Sequence, residues 1–447
     1  MKTFSKTCVA AALLLASFAQ AEARQWTLGD CVNYALANNI SLKKTKVQQL
    51  TALEDVKQSQ AALLPSLDFS TSQNITYRPW PESGRQTVAN GYVQSSVDKT
   101  YYNGSYSVSG NWTVWNGGRN TNQVKLNKLT EQKAVLDSAQ TANSILEQIA
   151  QLYVQILYSN EAIKVNKSSL ETSKANEERG KTMVGVGKMS KADLAQLTSQ
   201  RAQDEYNIVE AESNLRNYKR QLKQLLQITN DDEFDVAVPE ATDAMALEAV
   251  PALNDVYTAT IEHRPEIKAA QLGVESSDLS LKIAKAQRLP TIGLNLGVGT
   301  NTTSMSNDAW GSQMKTNFNV GGGVTLSIPL FDNRSSKTAA NKAMLQRESY
   351  MLDMKDKQTT LYSIVENYWL QAVTNQNKFK AAQVSTQSAK ESYDLLSEQF
   401  RLGLKNIVEL MTGKDNLLKA QQNELQSKYL AILNLNMLNF YKTGELK

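Results

Sequence analysis

From Arg119 to Val184 no proline interrupts the chain, and residues 332–400 form a second stretch of the same kind. At about 1.5 Å per residue, either run would make a helix roughly 100 Å long. A helix of that length cannot bury itself in a globule, so it must lie against equals. Val135, Ala142, Ile149, Ile156, Ile163 and Leu170 recur at seven-residue spacing, which is the seam of a coiled coil. Ala139, Ala142, Ala381, Ala382 and Ser385 allow close helix packing, and frequent Gln, Asn and Lys suit a second, wet face.

The two runs correspond because the chain repeats itself once. "TLGDCVNYALANNISL" (27–42) lies over "ALNDVYTATIEHRPEI" (252–267), and "AALLPSL" (61–67) over "AQRLPTI" (286–292), at a shift of 225 that sets Pro65 on Pro290. "VWNGGRN" (114–120) lies over "PLFDNRS" (329–335) at 215, and "GVGKMSKADL" (185–194) over "RLGLKNIVEL" (401–410) at 216. The change of shift falls between the proline and the arginine, so the first half carries a longer excursion there, of the kind loops absorb. Each half, 22–229 and 251–447, then reads as a short helix, a longer helix ending at Leu-Pro, two strands, a very long helix, a Gly-containing turn and a last helix. In the second halves of these repeats the helices are expected at 119–184 and 190–228, then at 332–400 and 405–441. Residues 230–250 hold seven acidic and no basic residues and are expected to be a surface connection.

Residues 1–21, "MKTFSKTCVAAALLLASFAQA", have the form of an export signal cleaved near Ala21, with Lys2 and Lys6 before an apolar run too short to span a bilayer. Without Lys2 and Lys6, 46 of the 48 basic residues remain against 44 acidic ones. That balance and the lack of a basic patch speak against nucleic acid as a partner. Cys31 would be the one cysteine of the exported chain, so its stability must come from packing rather than an internal disulfide.

Four strands are expected, at about 66–77, 100–115, 290–302 and 316–330. In "RLPTIGLNLGVGTNTT" (288–303), Ile292, Leu294, Leu296 and Val298 alternate with Thr291, Gly293, Asn295, Gly297 and Gly299. Tyr102, Tyr106, Val108, Trp112 and Val114 share a face in the second strand, as do Phe318, Val320, Val324, Leu326 and Ile328 in the fourth. One reading is a soluble sheet packed on a helix. The other is a transmembrane barrel wall, apolar outward and polar inward, with Trp115, Tyr101, Tyr102, Phe318 and Phe331 as girdle aromatics. The export signal, the Ser/Thr/Asn/Gly face and the strand lengths favour the wall, with Ile292, Leu294, Leu296, Val298 and Leu326 facing lipid. Four strands cannot close a barrel and open edges are not tolerated in lipid, so copies of the chain must pool their strands.

No catalytic constellation is evident. "GKT" (180–182) lacks the earlier glycine of a phosphate loop, since residue 175 is Ala. His263, the only histidine, falls in a turn between helices and reads as structural. No metal, cofactor or enzymatic activity is expected.

The duplicated plan, Leu-Pro before a strand, "WNGGR" and "PLFDNR" at strand-to-helix junctions, and Gly187 to Asp193-Leu194 with Gly403 to Glu409-Leu410 together resemble the TolC-like outer-membrane efflux protein family. That resemblance spans nearly the whole exported chain. It implies a mainly helical fold with membrane strands: a homotrimer whose twelve strands make one outer-membrane β-barrel and whose coiled-coil helices make a periplasmic α-barrel. It further implies a passive exit duct for efflux or secretion, docked to a periplasmic adaptor (membrane fusion protein) and an inner-membrane pump. The turns at 184–192 and 400–408 would form the periplasmic tip where the adaptor docks, with Val184, Gly187, Ser190, Asp193, Phe400, Gly403, Ile407 and Glu409 as its residues. Gln196 and Thr412 stand where some members carry a second acidic ring. The alternative of a different class is an exported coiled-coil adaptor or scaffold.

Overall fold

The computed structural model describes residues 25–80, 84–88, 91–95, 99–229, 234–239 and 241–446; the expected export signal and residues 230–233 of the acidic connection lie outside them. In chain order the elements are β1 (Gln25–Trp26), α1 (Leu28–Asn38), α2 (Ile40–Ala61), β2 (Ser66–Tyr77), β3 (Gly84–Val88), β4 (Gly91–Ser95), β5 (Thr100–Trp115), α3 (Arg119–Gly185) and α4 (Lys191–Leu226). They continue as β6 (Asp235–Val236), α5 (Asp243–Ala246), α6 (Leu253–His263), α7 (Pro265–Ala286), β7 (Thr291–Thr303), α8 (Trp310–Thr316), β8 (Asn319–Ser327), α9 (Ser335–Arg401) and α10 (Ile407–Thr443). The long helices α3 and α9 each run 67 residues.

One compact unit, Gln48–Ala134 with Ala270–Met354, holds the main sheet. Its strands lie in the order β2-β5-β7-β8, every neighbour antiparallel. Three expectations are corrected here. The excursion of the first half is not only loop, because β3 and β4 pair as a separate hairpin. The fourth strand is shorter than 316–330: α8 occupies its start, and Pro329, which has no N–H for a ladder, stands just past its end. A bulge between Thr113 and Trp115 makes Val114 the extra residue and brings Trp115, rather than Val114, opposite Ile292.

The other unit, residues up to Val47 with Val135–Ala269 and Lys355–Lys447, holds the helical cores. In the first core Cys31, Ile149, Ile156, Leu222 and Leu226 are buried around Tyr153 and Val236. Each such aliphatic side chain removed from water contributes about 1.5–3 kcal/mol. The predicted seam is met only in part: Ile149, Ile156 and Ile163 are buried, whereas Val135 is exposed and Leu170 half-buried. Beyond Ile163 the buried positions pass to Asn166 and Ser173, so the seam turns polar.

The acidic connection is not merely a surface strap. Val236 and Ala246 are buried, β6 pairs in parallel with β1, and the Tyr153 hydroxyl donates to Ala237 O at 2.7 Å. Its acids are partly answered by Lys219 on Asp235 and Lys428 on Asp243, each at 2.8 Å. Burial pushes the Cys31 thiol up to about 12, with nearby Asp30 adding to the effect. The thiolate, which is the reactive form, is therefore scarce at neutral pH. Native protein is expected to resist a maleimide that labels Cys31 fully in denaturant; equal labelling rates in both conditions would contradict this packing.

The second core gathers Val256, Ile267, Val365, Leu438 and Phe440. Arg264, buried at the α6–α7 corner, pairs with Glu147 at 2.7 Å and stacks its guanidinium 4.0 Å above the Tyr441 ring. In the first half the matching corner residue is Asn39, whose amide donates to Leu225 O at 2.9 Å. His263 ends α6 beside it and is exposed.

Candidate functional site

Both long helical hairpins close on the same turn. Gly187 N–H donates to Val184 O at 3.0 Å and Lys188 N–H to Met183 O at 2.8 Å; in the second half Gly403 N–H donates to Phe400 O at 3.0 Å and Leu404 N–H to Gln399 O at 2.9 Å. These paired bonds are Schellman closures, and they require left-handed backbone at Gly187 (φ 71°) and Gly403 (φ 75°). The next helices are capped in kind. Ser190 Oγ accepts from Asp193 N–H at 3.0 Å, and Asn406 Oδ1 accepts from Glu409 N–H at 2.9 Å.

The two tip carboxylates are engaged locally. Asp193 accepts the Ser190 hydroxyl at 2.7 Å. Glu409 accepts Lys405 Nζ at 2.6 Å and Asn406 N–H at 3.2 Å, and these two bonds, the lysine's first, hold its carboxyl below the usual range. An acid at the third helical position also favours the helix start. The geometry accounts for Glu409 as a capping group.

The predicted tip residues divide by exposure. Phe400 and Ile407 are buried with Leu197, Tyr393 and Leu410 in a small core beneath the turn. They hold the turn in shape, whereas Val186, Leu402, Leu404 and Val408 present themselves to the outside at 57–70% exposure. Val184 is half-buried.

Two features here escaped the sequence reading. A Cβ on Gly180 would stand 2.6 Å from Leu197 Cδ1, and one on Gly413 2.6 Å from Leu396 Cδ1. At the repeat shift of 216, Gly180 lies over Leu396 and Leu197 over Gly413, so each hairpin seats one leucine on one glycine with the partners exchanged. The shift was the signal: it sets a glycine on a leucine twice. The second feature is a buried polar belt above the tip. Asp204 on α4 forms an ion pair with Lys414 on α10 and accepts Ser173 Oγ of α3 at 2.5 Å; both charges are at most 5% exposed. Asn176 Nδ2 donates to the Tyr393 hydroxyl at 3.3 Å, and Gln422 to Asn166 Oδ1 at 3.2 Å.

In the sheet, register sorts the side chains into two faces. Leu67, Phe69 and Ile75 of β2 share a face with Tyr102, Val108 and Trp112 of β5, with Ile292, Leu294, Leu296 and Val298 of β7, and with Val320, Val324 and Leu326 of β8. Much of this face is bare: Leu67, Phe69, Ile75, Val320, Val324 and Leu326 are 61–79% exposed. Ile292, Leu294 and Val298 are half-buried by their strand neighbours. α8 covers one end of it, with Trp310 edge-on to Tyr106 at 6.1 Å. The opposite face carries Ser70 bonded to Ser107 at 2.7 Å, Ser72 to Ser105 at 2.8 Å, and Asn295 beside Gly323.

Among the described residues no helix is long and apolar enough to cross a membrane. No group of His, Cys, Asp and Glu suited to a metal ion occurs among them either.

A family model described as "Outer membrane efflux protein" matches residues 31–227 and 256–441, nearly all of both halves. The chain is 22% identical over 408 residues to a "Toxin and drug export protein A" of Aggregatibacter actinomycetemcomitans, covering 91% of this chain and 83% of the relative. Its fold is similar to that of CusC, with a TM-score of 0.79 at 14% identity over 92% of this chain and 91% of CusC. It is also similar to VceC of Vibrio cholerae, with a TM-score of 0.78 at 16% identity over 92% and 95%. Duplicated hairpins, twin glycine turns and two-faced strands thus stand in a chain that belongs to the outer membrane efflux protein family.

Proposed function

We propose that the chain works as one of three identical subunits of a passive exit duct, its strands in the outer membrane and its helices in the periplasm. The observation that carries this reading is the register of the sheet: an apolar face without a charged side chain, left largely bare, on a four-stranded sheet whose outer strands β2 and β8 each pair on one side only. Bare apolar surface of that extent needs lipid or a partner, and open strand edges in lipid need further strands. The positions Ile292, Leu294, Leu296, Val298 and Leu326 face lipid in this reading, and the Ser/Asn/Gly face lines a wet, nearly uncharged interior. An exported soluble scaffold fits less well, because Leu67, Phe69, Val320 and Val324 are exposed and a soluble sheet would bury them. Outer-membrane fractionation with heat-modifiable migration tests the assignment; recovery in the soluble periplasmic fraction would oppose it.

The adaptor meets the tip, and the pump lies beyond the adaptor. Gly187 and Gly403 shape the two turns while Val186, Leu402, Leu404 and Val408 supply the contact surface. Beyond its chain neighbours nothing lies within 4 Å of a Cβ built at Gly403, so there is room for bulk, but an L side chain strains the left-handed backbone that the turn requires. Gly403→Val is expected to cost about 1–2 kcal/mol in the hairpin, to leave trimer yield near normal and to reduce export. Unchanged efflux of a dye or drug from cells carrying it would remove the tip from the docking role.

A further inference from the structure

Resting on the reading of a shared barrel, we infer the register by which β8 of one copy pairs with β2 of the next: residues whose numbers sum to 397 stand opposite each other. The repeat supplies the rule. First strands correspond at a shift of 225; second strands correspond at 215 beyond the β5 bulge and 216 before it, since Val114 is the extra residue. The rule can be checked inside the chain. Ser66↔Asn111 and Phe69↔Val108 of the first hairpin map to Thr291↔Ser327 and Leu294↔Val324, which are the pairs observed in the second.

The junction between the halves, β5 with β7, has no in-chain counterpart among the described residues: its image under the same shifts is β8 with β2, the two open edges. A second copy of this chain is therefore the occupant each edge fits. Val108↔Val298 maps to Val324↔Gln73, Ser109↔Gly297 to Thr325↔Ser72, Asn111↔Asn295 to Ser327↔Ser70, and Asn103↔Thr303 to Asn319↔Arg78.

Side-chain chemistry, which took no part in deriving the mapping, agrees with it except where Gln73 and Thr71 meet Val324 and Leu326 on the apolar face. Ser70, Ser72 and Asn74 meet Ser327, Thr325 and Gly323, polar face to polar face. Ile75 meets Gly322 and Tyr77 meets Val320 on the apolar face, large beside small. A slip of one residue would turn the polar face of one copy toward lipid. The side chain of Asn295 already lies 3.2 Å from a Cβ built at Gly323; Asn74 of the neighbouring copy would flank the same glycine from its other side.

Disulfide trapping in the full chain, with Cys31→Ala as background, tests the register. Facing residues of antiparallel strands have Cα atoms about 4.5–5.5 Å apart, inside disulfide reach, whereas diagonal neighbours lie about 7–8 Å apart and fall outside it. Ser72→Cys with Thr325→Cys, and independently Ser70→Cys with Ser327→Cys, are expected to oxidise to covalent trimers in outer-membrane fractions. Ser70→Cys or Asn74→Cys combined with Thr325→Cys should not. Stronger trapping in those offset pairs would overturn the register while leaving the assembly standing. A trimer captured by an amine crosslinker with no disulfide at any pair would overturn β8–β2 pairing itself. An amine-crosslinked sample that stays monomeric in the membrane would instead overturn the shared barrel.

Discussion

Leu294→Arg is expected to strip most of the protein from the outer membrane, lowering heat-stable trimer more than tenfold. Leu294 sits on the inner strand β7 between Trp112 and Val324, with no acidic residue on its face of the sheet. An arginine at the middle of a lipid-facing strand costs about 2–4 kcal/mol, and three copies would each carry it. Asn295→Arg is the matched control. It lies one residue along, on the opposite face, and its charge would enter the wet interior; trimer yield should stay near wild type. Equal loss in both variants would mean that the two faces do not differ in environment.

Asp204→Ala is expected to be the most damaging single change in the helical unit. It leaves Lys414 as a charge 5% exposed with its partner gone. Breaking a buried pair from one side costs about 3–5 kcal/mol, whereas replacing both members by apolar groups of similar volume is often neutral or even stabilising. The double variant Asp204→Leu with Lys414→Met should therefore recover most of the loss in a urea or thermal melt. Asp204 Oδ1 has no hydrogen bond among the described residues, which adds to the expected gain on replacing the pair. A double variant no more stable than Asp204→Ala would show that Ser173 and its neighbours, rather than the ion pair, depend on Asp204.

The long-range plan of this chain was legible because its signals are periodic or repeated. Two proline-free runs, strict alternation over β7 and a repeat shift that aligns Pro65 with Pro290 led to elements within a few residues of those observed. What stayed hidden depends on neighbours in space. Nothing local marks Val114 as a bulge, because the extra residue is defined only by its pairing with β7. The polar seam from Asn166 to Ser173 looks like the wet face of a helix until Asp204 and Lys414 arrive from two other helices. The acidic connection conceals Val236 and Ala246, whose burial requires partners from β1, α3 and α10. At the tip, the glycine turns were readable from the repeat, whereas the Ser190 and Asn406 caps were not read, and Phe400 and Ile407 turned inward because the small core of Leu197, Tyr393 and Leu410 accepts them.

Lipid contact at single positions tests the account most directly. An environment-sensitive fluorophore is placed on Leu326→Cys or on Thr325→Cys in the Cys31→Ala chain, and a quencher attached to lipid acyl chains is added to reconstituted trimers. Strong quenching at 326 and little at 325 is the predicted result. Equal or reversed quenching, or a chain that remains monomeric and soluble without detergent, would contradict it.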